Sequence, residues 1–281
     1  MIFSCGITTF NPTPSDIEHI VTLSEVFNKI IVYDNTPSGM SPIYKNSLTG
    51  HNIIVVSNGV NDGLSLAFEY MFSYFSKLNA DFVCLFDQDS RISLSALESM
   101  MNRIMSDNND KVAIYAPRII YEHESSFKYK SGLQSVKWVI SSGSFNRVSV
   151  FRTVGGFDKN YFIDRIDMDY CFSVRLKGFD VKVIEDITLE QSLGDVKSIF
   201  GVKFYEHSPI RNYYIARNRF YFILKHKNDL SFPYAKLFFA TLRHLIKVVS
   251  LETNKKQKIK SICQGVIDCY SSKMGKSNQT L

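Results

Sequence analysis

Short apolar runs that end in carboxylates or small polar residues, separated by segments of helical period, constrain this chain more than any other feature. Phe3 to Thr9 is such a run, closed by the turn-rich Asn11-Pro12-Thr13-Pro14. Ser15 and Glu18 then stand at capping-box spacing, and Ile17, Ile20, Val21 and Phe27 fall at helical spacing. Lys29 to Tyr33 reads as a second strand that stops at Asp34-Asn35, and Asn52 to Ser57 as a third. Gly63 to Lys77 is helical in period through Leu66, Tyr70, Met71 and Tyr74. Asp81 to Phe86 is a fourth strand, running into Asp87-Gln88-Asp89. This β-α-β-β-α-β order predicts an α/β sandwich with a mostly parallel sheet. Ligands of such sheets bind beyond the carboxyl ends of the strands. Thr8, Asp34, Asn35, Asp87 and Asp89 all lie at those ends.

The second half is less regular. Trp138 to Phe145 contains the small-residue stretch Ser141-Ser142-Gly143-Ser144, where a ligand can approach backbone. Gly155-Gly156-Phe157-Asp158 reads as a turn. Phe162 to Cys171 carries Asp164, Asp167 and Asp169 and leads into a helix ending near Gly178. Val181 to Ile184 reads as a late strand, and the chain from Leu230 on as helical and basic. With 281 residues, 45% of them hydrophobic, the chain can bury one large domain, or one domain plus an extension. Disorder is expected only in the last residues, 276–281.

Several function classes lose support. No G-x-G-x-x-G follows the first strand and no G-x-x-x-x-G-K-[ST] occurs, against dinucleotide-binding and P-loop readings. The five cysteines are scattered without C-x-x-C spacing, which points to reduced thiols in the cytosol and away from zinc. The N-terminus lacks the pattern of a signal peptide. Charge is divided unevenly. Residues 211–281 hold 14 basic and 3 acidic side chains, net +11; the first 210 hold 19 and 24, net −5. Such a basic tail suits nucleic acid, an anionic membrane surface, or plain solvation.

Two carboxylate groups carry the candidate chemistry. Asp87 and Asp89, one residue apart at a strand end, suit a hard divalent cation that bridges substrate phosphates; the competing reading is a solvated loop with a helix cap at Ser90. Asp164, Asp167 and Asp169 sit among Phe162, Ile163, Ile166, Met168 and Tyr170. Like charges in apolar surroundings raise carboxylate pKa values and suit a general base. The competing reading is an acidic first turn of a helix, favoured by the helix dipole.

These residues, taken in order, resemble the rhamnosyltransferase-like branch of glycosyltransferase family 2, with a GT-A fold. The matching pieces are Thr9-Phe10-Asn11-Pro12, Val32-Tyr33-Asp34-Asn35-Thr36, Asn61-Asp62-Gly63 and Phe86-Asp87-Gln88-Asp89-Ser90. Ser141-Ser142-Gly143-Ser144, Gly155-Gly156-Phe157-Asp158 and Phe162-Ile163-Asp164-Arg165-Ile166-Asp167 follow, then Arg211-Asn212-Tyr213-Tyr214 with Arg217-Asn218. The resemblance implies a GT-A catalytic domain over residues 1–222, with a mostly parallel sheet flanked by helices, and a basic helical extension over 223–281. It implies that Asp34 contacts the nucleotide base with Thr8 and Phe10 nearby, that Asn61 and Asp87 line the donor site, and that Arg217 meets the diphosphate. Asp89 would bind Mg²⁺ or Mn²⁺, Asp167 would be the catalytic base, and Asp164 and Asp169 would lie on the acceptor side. Gln191 stands where relatives place a metal-binding His, before Ser192-Leu193-Gly194. An amide oxygen suits Mg²⁺ better than a transition metal. Glu69 and Tyr170 replace the Asn and Trp usual in relatives.

The implied reaction is inverting transfer of a sugar, L-rhamnose from dTDP-rhamnose, to a lipid-linked saccharide in bacterial surface polysaccharide synthesis. A UDP-hexose such as UDP-glucose or UDP-galactose is the alternative donor. A haloacid-dehalogenase-type phosphatase, whose D-x-D normally opens the fold, and a non-catalytic sugar-binding relative are the rivals. The expected partners are donor, acceptor and an anionic membrane surface, with no nucleic acid, in the cytoplasm or at the cytoplasmic face of the inner membrane. For the tail, an apolar stripe of Leu237, Phe238, Leu242, Leu245, Val248 and Val249 either lies on that membrane or packs on the catalytic body.

Overall fold

The computed structural model describes residues 1–121, 132–191, 196–199 and 202–277. They form two compact units, one of residues 1–158 and 167–192, the other of 159–166 and 193–281.

The first unit begins β1 (Phe3–Thr9), α1 (Pro14–Leu23), β2 (Ile30–Asp34), α2 (Pro42–Ser47), β3 (Ile53–Val56), α3 (Leu64–Lys77), β4 (Phe82–Asp87) and α4 (Leu94–Asp107). It continues with β5 (Val112–Tyr121), β6 (Leu133–Ser135), β7 (Ser144–Arg147), α5 (Val148–Val154), α6 (Ile166–Leu176) and β8 (Asp180–Gln191). The eight strands make one sheet in the order β3-β2-β1-β4-β7-β5-β8-β6. It is parallel except for β7, which runs against β4 and β5, and β6, which runs against β8. The expected mostly parallel α/β architecture is therefore present.

Burial explains why these runs became strands. Every residue of β1 and β2 is buried, as in strands covered on both faces. Phe3, Cys5 and Ile7 of β1 join Phe82, Cys84 and Phe86 of β4 in a core shared with Ile17 and Ile20 of α1 and Leu97 and Ile104 of α4. α3 buries Phe68, Met71, Phe72 and Phe75. Phe72 stacks on Phe151 of α5 at 4.6 Å, and Phe68 lies 5.2 Å from Phe157.

Two local expectations are corrected. The capping box of α1 is Thr13 with Asp16, not Ser15 with Glu18, because Pro14 presets φ at the first helical position and so starts the helix two residues earlier. The buried stripe of α3 is not the one through Leu66 and Tyr70. Both are exposed, and Tyr70 lies edge-on to Tyr33 at 5.6 Å.

The second unit holds the hairpin β9 (Val196–Ile199) and β10 (Val202–Tyr205), then α7 (Pro209–Lys225), α8 (Pro233–Leu251) and α9 (Lys255–Tyr270). α7 packs against both α8 and α9. Gly265 lets α9 come close: a Cβ there would lie 2.5 Å from the carbonyl oxygen of Tyr213. The buried Lys258 joins α9 to its surroundings, bonding Glu206 at 2.6 Å and Glu252 at 2.8 Å. Lys197 and Lys258 hold the Glu206 carboxyl below the usual carboxylate range, and against the opposing effect of burial Lys258 and Lys247 do the same for Glu252.

Candidate active site

Parallel register brings the chemistry-bearing strand ends together. Thr8 at the end of β1 stands opposite Asp87 of β4 on one side and Tyr33 of β2 on the other; Thr9 stands opposite Asp34. Thr8 is buried, Asp87 half-buried, and Phe10 and Asp89 exposed.

Asp34 does something other than wait for a ligand. It is fully buried, and both oxygens are occupied within the protein. Oδ1 accepts from the Thr36 hydroxyl at 2.6 Å, the Thr36 amide at 3.1 Å and the Thr9 hydroxyl at 3.1 Å; Oδ2 accepts from the Met40 amide at 2.5 Å. This carboxylate ties the loop after β2 to the end of β1. A nucleotide base would have to displace one of these donors to reach it. Next to it, Asn35 accepts from the Asp62 amide at 2.9 Å, Asn61 caps the Gly63 amide at 3.0 Å, and Asp62 takes the Tyr33 hydroxyl at 2.8 Å. The Asn61-Asp62-Gly63 segment is thus fixed at the start of α3.

The Asp87-Gln88-Asp89-Ser90 turn is held by residues that sequence reasoning did not single out. Gln88 clasps the backbone of Phe10: its Oε1 accepts from the Phe10 amide at 2.7 Å and its Nε2 donates to the Phe10 carbonyl at 3.2 Å. Arg91 braces the turn from behind, donating to the carbonyls of Gln88 at 2.6 Å and Ser90 at 3.2 Å and to Asp16 of the α1 cap at 2.7 Å. Ser90 is not a helix cap. Its hydroxyl lies 2.5 Å from that of Ser142, and the α4 cap is Ser93. Ser142 itself bridges to Leu85 of β4, where the Gly143 amide donates to the Leu85 carbonyl at 2.7 Å. The small-residue stretch therefore works as a strut for the turn.

These constraints leave Asp89 without a hydrogen-bond or ion-pair partner among the described residues. Gln191 closes β8 opposite Tyr121, one residue from Glu190, which bridges to Arg91. Asp87, Asp89 and Gln191 thus offer oxygen donors only, on chain segments tied together through Arg91. That chemistry fits a hard cation completed by substrate phosphates and water. Among the described residues no group of three His, Cys, Asp or Glu could hold a metal by itself. Ser192-Leu193-Gly194 lies outside the described residues.

The acidic cluster is divided. Asp167 and Asp169 lie in the first turn of α6, the placement the helix dipole favours. Asp169 is buried, whereas Asp167 is half-buried and lines a small pocket of about 10 Å³ with Ser141, Ser144, Asn146, Phe157 and Tyr170. Asp164 belongs to the second unit and is bonded there to Arg211 at 2.8 Å. It stands with Arg165 in the left-handed region, at φ 67° and 66°, a conformation L side chains rarely adopt. Burial pushes the Asp164 carboxyl up, against the lowering pull of Arg211.

Arg217 requires a correction. It was expected to meet the diphosphate, but it is completely buried in the second unit. Its guanidinium lies 5.0 Å from the Tyr214 ring and 5.3 Å from the Tyr213 ring, with hydrogen bonds to Asn218 at 3.1 Å and the Lys273 carbonyl at 3.3 Å. It braces α7 against the segment after α9.

No protein-family model matches this chain. The dTDP-rhamnosyl transferase RfbF of Shigella flexneri is 27% identical over 283 residues, covering 93% of each chain. Residues 1–349 of S. aureus TarS, solved in complex with UDP-GlcNAc, superpose with a TM-score of 0.62 at 15% identity, over 96% of this chain and 81% of that one. GalNAc-T7, solved with UDP, GalNAc and Mn²⁺, gives 0.54 at 10% identity, over 78% of this chain and half of its own. The fold is therefore GT-A, and the chain is a glycosyltransferase. Along nearly its whole length the chain is similar to that rhamnosyl transferase.

Proposed function

We propose that this chain transfers L-rhamnose from dTDP-rhamnose to a hydroxyl of a lipid-linked saccharide, with inversion, in the building of a bacterial surface polysaccharide. The donor follows from similarity to RfbF. The observation that supports the reaction is the grouping of Thr8, Asp87, Asp89, Gln191 and Asp167 in one compact unit, Thr8 and Asp87 at adjoining strand ends.

Asp167, beside that small pocket, takes the proton of the acceptor hydroxyl, and that oxygen attacks the anomeric carbon opposite the leaving diphosphate. A positioned base of this kind contributes roughly 10²- to 10⁴-fold in rate. Asp89 and Gln191 would hold Mg²⁺ or Mn²⁺, which when bound neutralises charge on the leaving phosphates. Thr8, Phe10 and Asn61 line the donor side, and Asp34 fixes the loop beneath it. Asp169 supports the acceptor side from the same helical turn. The proposed place of work is the cytoplasmic membrane face, where a lipid-linked acceptor resides. Assaying nucleotide release across a panel of sugar nucleotides tests the donor. dTDP-rhamnose is expected to be turned over fastest; preference for UDP-glucose or UDP-galactose would overturn the donor and leave the reaction class standing.

A further inference from the structure

α8 has two apolar faces, and only one of them is used by the fold. Leu237 and Val248 are buried, and Leu245 packs with Val248, Ala216 of α7 and Ile262 of α9. The expected stripe therefore splits: these residues belong to the core, whereas Phe238, Leu242 and Val249 point outward. With Phe239 and Ile246 they form a solvent-facing band at spacings of three and four, the period of one helix face. Phe232, 81% exposed, and Tyr234, 61% exposed, extend it at the start of the helix. Seven large apolar side chains on the 19-residue α8 and its N-cap make a patch of the kind that marks an interaction site.

Charge decides among occupants. α8 carries no Asp or Glu. Its exposed charges, Lys236 and Arg243, are both positive, and Lys255, Lys256 and Lys260 are exposed on α9. The segment 211–281 is +11 overall. Two copies meeting through this face would bring like charges together, whereas an anionic bilayer attracts them and accepts the apolar band. No helix among the described residues is long and apolar enough to cross a membrane, so α8 would lie in the surface plane.

We propose that the outward face of α8, formed by Phe232, Tyr234, Phe238, Phe239, Leu242, Ile246 and Val249, docks on an anionic lipid surface, with Lys236 and Arg243 at the headgroups. This names the residues behind the membrane contact expected for a lipid-linked acceptor, and it rests on that reading only for its purpose. Its test uses neither donor nor acceptor, so failure of the rhamnosyl assignment leaves it untouched.

The full chain is mixed with vesicles of phosphatidylcholine containing 30% phosphatidylglycerol, and with phosphatidylcholine alone, and sedimented at low and high salt. Binding to the anionic vesicles at low salt is expected, weakened at least tenfold by neutral lipid or by 1 M salt. The double variant Phe238→Ser, Phe239→Ser should bind at least tenfold more weakly, with an unchanged circular dichroism spectrum. Binding indifferent to lipid charge, or equal binding by a folded variant, overturns the proposal. So does a lipid-free dimer that the double variant abolishes, since that would make the face a contact between copies.

Discussion

Replacing Gln88 by Ala removes both halves of the clasp on Phe10, the bonds of 2.7 and 3.2 Å that join the D-x-D turn to the loop after β1. Each such neutral bond contributes roughly 1 kcal/mol net. The side chain is half-buried, so the two together are worth about 1–2 kcal/mol, which corresponds to roughly a 5- to 30-fold change in an equilibrium constant. Because the clasp connects two surface loops and leaves the sheet intact, the loss should appear in donor binding more than in global stability. Gln88→Ala is therefore expected to raise the donor KM about 5- to 30-fold with kcat within threefold, and to weaken dTDP binding equally in calorimetry. The melting temperature should move by no more than a few degrees, since about 1 kcal/mol shifts a domain of this size by 2–4 °C. Unchanged KM and dTDP affinity would show that the clasp does not organise the donor site. So would a fall in kcat alone.

Three further outcomes are expected. Asp89→Ala should abolish metal-dependent donor binding, and Gln191→His should lower the Mn²⁺ concentration needed for half-maximal activity; full activity in chelator would refute the metal role. His244 is buried beside Arg219, Lys247, His207 and Glu252 and donates from Nε2 to Asn212 Oδ1 at 2.6 Å, and burial holds its pKa down to about 4. Its unfolded form binds a proton near 6.5 and the folded form does not, so the stability it confers is present above pH 6.5 and lost as pH falls toward 4, by roughly 3 kcal/mol at most. Wild-type melting should drop between pH 7 and 5 and the drop should shrink in His244→Gln; identical profiles would refute it. Gly265→Ala should destabilise the protein by roughly 1–3 kcal/mol, because the new Cβ meets the Tyr213 carbonyl at 2.5 Å; calorimetry checks this.

What the sequence revealed and what it hid follow from the range of the interactions involved. β1, β2 and β4 were legible because a strand buried on both faces must be a continuous apolar run, as Phe82-Val83-Cys84-Leu85-Phe86 is. β5 and the full length of β8 were missed, since Arg118, Glu185 and Lys182 interrupt the pattern and find partners only in the folded sheet: Arg118 bonds Glu185 at 2.8 Å. The D-x-D turn was legible as a pair of carboxylates; its supports were not, because the Gln88 clasp spans 78 residues and the Arg91 brace to Asp16 spans 75. Arg217 shows the opposite failure. A motif position says nothing of burial, and a guanidinium packed against two tyrosine rings reads in one dimension like one that meets a phosphate. The tail needed the structure as well, because helical spacing reveals an apolar stripe but not that α8 carries two.

The central claim is that Asp167, in the first turn of α6, is the base of a sugar transfer from a nucleotide donor. Nucleotide diphosphate release from dTDP-rhamnose in the presence of Mg²⁺ and acceptor, compared between the wild type and Asp167→Asn, tests it most directly. The account predicts steady release by the wild type and a loss of at least 10²-fold in the variant, with dTDP affinity retained within a few-fold. Wild-type turnover by a folded Asp167→Asn protein would contradict it and move the base to another carboxylate.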